Sequence, residues 1–133
     1  ARLIRSIRND HAGVLLGAAS FWEGVDMGQN AIKAIVIARL PFEPPGDPLF
    51  EAKSESHGDP FNEFALPQAV LKFRQGFGRL IRSKTDKGVV IVMDSRVHQK
   101  KYGSIFLNAL PDCSREFLKA HEVSGKVSEW LLS

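Results

Sequence analysis

The chain has one cysteine, Cys113, among its 133 residues. A lone thiol closes no internal disulfide and builds no cysteine zinc or iron–sulfur site by itself. A reducing compartment, the cytoplasm, is therefore expected. No apolar run approaches the roughly 20 residues of a membrane span. Nor is there a basic start followed by an apolar stretch and a small-residue cleavage site, so no membrane role is expected. The four histidines, His11, His57, His98 and His121, are scattered; they read as surface residues, and no metal site is expected. There is no internal repeat and no low-complexity tract. No G-x-x-x-x-G-K-[ST] phosphate loop occurs, and no D-E-x-H magnesium motif. Gly125-Lys126 is followed by Val127 and lacks the preceding glycine spacing. The chain alone is thus not expected to cleave a nucleoside triphosphate.

What is present suits one globular domain. Hydrophobic residues make up 44% and charged residues 25%, as in ordinary soluble proteins, and the length supports a real core. The net charge of +3 favours an anionic partner only weakly. The placement of the arginines says more.

Three apolar runs, Gly13–Ala18, Lys33–Leu40 and Gly88–Asp94, fit buried parallel strands. Between the last two, Pro41, Pro44, Pro45 and Pro48 exclude a regular helix or a central strand. Asp47 and Pro48 can cap and open a helix over Leu49–Ser56, and Gly58-Asp59-Pro60 stops it. Pro67 opens a longer helix to about Ser83. Further helical spacing covers Arg2–Asn9, Tyr102–Leu110 up to Pro111, Ser114 to about His121, and Ser124–Leu132. In the last of these, Val127, Trp130 and Leu131 share a face, and Trp130 is expected in the core. Strands alternating with helices predict an α/β domain on a parallel sheet.

"FRQGFGRLIRS", Phe73–Ser83, places Gly76 and Gly78 in the long helix, although each costs about 1 kcal/mol relative to alanine. On a helical wheel Gln75, Arg79 and Arg82 fall in a stripe about 60° wide. Val70, Phe73, Phe77, Leu80 and Ile81 lie opposite. Leu71 is the misfit on the polar face and is expected to pack under a loop. A merely solvated basic face gains nothing from glycine, whereas close approach of a ligand does. Arginine also holds phosphate oxygens with paired N–H donors. The stripe with Gly78 beside it therefore reads as phosphate-facing. Gly76, off the stripe, reads as a close-packing position.

"SFWEGVDMGQ" follows the first strand directly, at the sheet edge where α/β proteins bind ligands. Glu23 and Asp26 are carboxylates three apart, Gly24 and Gly28 free the backbone, and Ser20 can donate to phosphate. Phe21 and Trp22 are either core aromatics or stacking platforms for bases. At the end of the third strand, Asp94 and Arg96 read equally as an ordinary ion pair or as groups that orient the motif or bind DNA. Lys100 and Lys101 read as a solvated pair.

"SFWEGVDMGQ" resembles motif V, and "QGFGRLIRSKTDKG" resembles motif VI (Q-x-x-G-R-x-x-R), of superfamily 2 helicases. "IARLPFEPPGDPLFEA" and "DSRVHQKKYG" are similar to the DinG branch of the XPD-like group. The likeness runs from about Gly13 to Pro111. It implies a RecA-like three-layer sandwich with a mainly parallel sheet lacking its first strand. Residues 1–133 would be the second RecA-like domain of a larger DNA helicase, acting in DNA repair or replication and moving 5′ to 3′. By the resemblance, Arg82, Arg79 and Gln75 are the catalytic positions, either arginine serving as the finger on the γ-phosphoryl. Glu23, Gly24, Asp26 and Gly78 would attend the nucleotide, and Ser20, Phe21 and Trp22 the single-stranded DNA. ATP with its Mg2+ would be held by a first helicase domain of the same protein. The alternative is a non-enzymatic nucleic-acid-binding or protein-interaction module that keeps the fold.

Overall fold

The computed structural model describes residue 17 and residues 32–81 and 85–133. The expected first strand, apart from the exposed Gly17, and the Arg2–Asn9 helix lie outside those residues. Two strands form the described sheet: β1 (Ala34–Ile37) and β2 (Val89–Val92), paired in parallel with Ile35 opposite Val90 and Ile37 opposite Val92. Both strands are shorter than the apolar runs that announce them. Leu40 leaves the ladder because its N–H donates to the Asp94 carboxylate at 2.8 Å instead of to a strand partner. Strand alternation turns Ile35, Ile37, Val90 and Val92 towards one core, while Val36, one position out of phase, is 58% exposed.

A crossover joins the strands. Helix α1 (Pro48–Ser54) starts as expected: the Asp47 side chain accepts from the Phe50 N–H at 2.9 Å and Pro48 occupies the first turn. The next helical segment begins well before Pro67. A π-helical turn, Phe61–Ala65, runs straight into α2 (Leu66–Leu80). Asp59 opens it by accepting from the Asn62 backbone at 3.1 Å and side chain at 2.7 Å. The Leu66 N–H donates to the Phe61 carbonyl, five residues back. Pro67 has no N–H and would crowd a carbonyl of a regular α turn, so the wider turn gives its ring room.

Beyond β2, a short helix not expected from the sequence, α3 (Arg96–Gln99), precedes α4 (Gly103–Asn108), which lies within the expected Tyr102–Leu110 helix. Gly103 marks the junction, where a Cβ would overlap the Val97 carbonyl. No helix spans Ser114–Lys119, whose residues are all exposed and offer no face to bury. The last helix, α5 (Ala120–Leu132), starts four residues earlier than expected because the Glu122 carboxylate accepts from the Lys119 N–H at 2.8 Å. Trp130 is not core: it is 38% exposed, with the Lys87 ammonium 4.7 Å from its ring centroid.

The core is α2 laid on β1 and β2, with α4 against α2. Ile37, Leu40, Leu66, Ala69, Phe73, Val97 and Phe106 bury together. Phe106 meets Phe73 edge-on at 5.4 Å and Phe42 at 5.7 Å, a geometry aromatic quadrupoles favour. The proline-rich loop is pinned to this core through Phe42.

Candidate functional site

Helix α2 is the frame of the site. Its buried residues, Leu66, Ala69, Phe73, Gly76 and Leu80, occupy an arc of about 100° to 180° measured from Gln75. The core face is therefore turned towards Gly76 relative to the expected one, with Val70 and Phe77 only half-buried on its far shoulder. That rotation places Gly76 on the packed side, among the buried residues of the helix. Gly78 is exposed, and a Cβ there would meet nothing within 4 Å. Among the described residues no neighbour requires it to be glycine. Leu71 does not pack under a loop; it is 50% exposed.

Gln75 and Arg79 stand one turn apart, Gln75 exposed and Arg79 half-buried at the shoulder of the core face. The helix ends at Leu80. Ile81 is extended, with φ −113° and ψ 108°, so the wheel cannot be carried on to Arg82, which lies outside the described residues. Ile81 reads as helical in sequence only because its spacing from Phe77 continues the apolar pattern. Just beyond, a Cβ on Gly88 would sit 2.5 Å from the Leu80 side chain, so glycine lets the helix end close down on the start of β2. Ser20, Phe21, Trp22, Glu23, Gly24 and Asp26 also lie outside the described residues.

The structure adds a residue that sequence reasoning missed. Lys72 projects at about 60° on the same wheel, on the side of Arg79 and Gln75. It forms an ion pair with Glu43 of the proline-rich loop. Its heptad spacing from Arg79 was the available signal. Lys72 and Glu43 line a groove of about 290 Å³ at the carboxyl end of β1, together with Gly17, Arg39, Pro41 and Pro44.

Asp94 closes this end of the sheet. It is 9% exposed and accepts from the Leu40 N–H at 2.8 Å, the Arg96 N–H at 3.1 Å, and the Arg96 guanidinium at 2.6 Å and 3.0 Å. The Arg96 hydrogen bonds, first among the causes, hold its carboxyl well below the usual carboxylate range against the opposing effect of burial. Arg96 also lies over the Phe42 ring at 5.4 Å. Of the two readings of this pair, the structure shows the ion pair, and it ties the exits of both strands together. Among the described residues no group of three or more His, Cys, Asp or Glu is placed to hold a metal ion. No helix among them is long and apolar enough to cross a membrane.

The described unit is a parallel α/β arrangement in which the helix ahead of β2 carries an exposed glutamine and a half-buried arginine one turn apart. The chain belongs to the Helicase C-terminal domain family, which matches residues 1–113. It is 43% identical over 118 residues to the ATP-dependent DNA helicase YoaA of Haemophilus influenzae, covering 86% of this chain and 18% of that protein. It is 40% identical over 131 residues to the 3'-5' exonuclease DinG of Bacillus subtilis, covering 96% of this chain and 14% of that protein. YoaA of Escherichia coli is 43% identical over 106 residues, 77% of this chain and 17% of that protein. The chain therefore spans less than a fifth of the length of these relatives.

Proposed function

We propose that this chain is the second motor domain of an ATP-dependent DNA helicase, working in the cytoplasm on single-stranded DNA. The observation that carries this reading is the outward stripe of α2. Gln75 and Arg79 sit one turn apart on it, in a sequence that matches a helicase family along most of its length. A guanidinium keeps its charge and offers forked donors to phosphate oxygens. An exposed glutamine beside it can orient phosphate or water. These groups fit the triphosphate of ATP, which with Mg2+ would be held mainly by a first RecA-like domain of the same protein.

In this reading Arg82 is the principal finger on the γ-phosphoryl and Arg79 the second, with Gln75 positioning. Gly78 leaves open space beside the stripe where the nucleotide approaches. Glu23, Gly24 and Asp26 link the nucleotide to the strand, and Ser20, Phe21 and Trp22 face the strand. Movement is 5′ to 3′, and the setting is DNA repair or replication. The test is ATPase turnover of the full-length protein with and without single-stranded DNA. Arg82→Ala should abolish turnover while single-strand affinity stays within a few-fold. Near-normal turnover in that variant overturns the assignment.

A further inference from the structure

The groove at the carboxyl end of β1 has a use that the arginine stripe does not absorb. One wall is the loop from Ala38 to Pro44, which carries the exposed Arg39; the other is α2 at Lys72. Gly17 also lines it and stands three residues before Ser20 in the sequence. The loop is held rigidly from beneath: the Leu40 N–H is bound to Asp94, and the Phe42 ring is packed on Phe61, Tyr102 and Phe106. The groove is thus built on a fixed frame. Its two cations differ in state. Among the described residues no ion pair engages Arg39, whereas Lys72 is bound to Glu43, the two side chains being only 19% and 26% exposed.

A carboxylate and a phosphodiester offer a lysine ammonium the same kind of oxygen acceptor. We propose that the groove seats one backbone phosphate of the single strand between Arg39 and Lys72, and that Glu43 holds the seat closed until the strand displaces it. The inference rests on the helicase reading above and assigns a particular seat to its strand. At about 290 Å³ the groove falls at the lower limit of ligand pockets, about 300–1,000 Å³. That suits one phosphate with its sugar resting on Pro41 and Pro44. Because Lys72 lies on the helix that carries Gln75 and Arg79, release of Glu43 would act on the same rigid element as the nucleotide.

The test is anisotropy titration of the full-length protein with labelled oligothymidylate over a range of salt, alongside KM for ATP. Arg39→Ala should weaken strand binding about 5- to 10-fold and lower the salt slope by about 0.7, the amount for one phosphate contact on a single strand. Lys72→Met should act in the same direction. Glu43→Gln should do the opposite, tightening binding about 3-fold or more by removing the competing charge. Unchanged affinity with Arg39→Ala, an exposed position where folding is not at stake, overturns the proposal. So does equal or weaker binding with Glu43→Gln. A rise in KM for ATP with unchanged strand affinity in Arg39→Ala would assign the groove to the triphosphate and likewise overturn it. A wild-type protein that ignores oligothymidylate overturns the helicase reading itself, and the seat with it.

Discussion

At the scale of single residues, Asp94 does more than its sequence context suggests. Its carboxylate gathers donors from the exit of β1 and from the start of α3, so removing it leaves a buried N–H and a guanidinium without their acceptor. Loss of one partner of a buried pair costs about 3–5 kcal/mol. Arg96 is 38% exposed and can rehydrate, which moves the expectation to the lower end. Asp94→Ala should therefore lose about 3 kcal/mol in a urea melt at neutral pH. A loss indistinguishable from that of an exposed aspartate would show that the pair is not a fastening. The pH dependence follows from the direction of the shift. The folded carboxyl is held below its ordinary value near 4, so its stabilisation is complete above about pH 4 and is lost only in stronger acid. Wild type and Asp94→Ala should accordingly differ by a constant amount from about pH 5 to 8, and converge as acid protonates the native carboxyl.

Gly103 is a second fastening of a different kind. A Cβ there would overlap the Val97 carbonyl and come within 2.9 Å of the Arg96 carbonyl. Backbone cannot move aside as a flexible side chain can. Gly103→Ala should cost about 1–3 kcal/mol, as overpacking does, and a melt unchanged by it would contradict the close approach of α4 to α3. The Asp94–Arg96 pair is one of two sequence readings, but the hold of Asp94 on Leu40 and the close contact at Gly103 are not legible in sequence. "DSR" and "YGS" carry no mark of which backbone groups will lie beside them, because those partners come from residues far along the chain or from a neighbouring turn.

At the scale of elements, what was legible followed apolar density and local caps. Ile and Val runs located β1 and β2, and Asp47-Pro48 located the start of α1, because those signals act within a few residues. What failed followed periodicity past its meaning. Phe77 and Ile81 keep helical spacing, yet the chain straightens at Ile81 to bring Leu80 down on Gly88. Val127, Trp130 and Leu131 share a helical face, but a shared face does not say what covers it. In the fold α5 buries no residue fully, and Trp130 meets Lys87 instead of the core. Trp130→Ala should accordingly cost about 1 kcal/mol or less, the worth of an exposed cation–π contact, where a core tryptophan would cost about 3–5 kcal/mol. A cost in the upper range, measured by thermal melting, would return α5 to the core.

At the scale of the whole molecule, the site is divided between what this chain shows and what it is proposed to meet. On α2 Gln75 is exposed and Arg79 is half-buried beside the buried arc. A side chain so placed is suited to holding one planar geometry against a phosphate arriving from another domain. That makes the fork, and not the charge alone, the quantity under test. In the full-length protein, Arg79→Lys keeps the positive charge but replaces five fixed donors by a compact ammonium on a flexible stem. The expected result is a fall in kcat of about 100-fold or more, with a smaller change in KM for ATP. The split follows because a forked contact that tightens on the transferring phosphoryl lowers the barrier more than it binds the ground state. If Arg79→Lys instead retained kcat and raised only KM, Arg79 would be a ground-state anchor for phosphate. The finger would then rest on Arg82 alone.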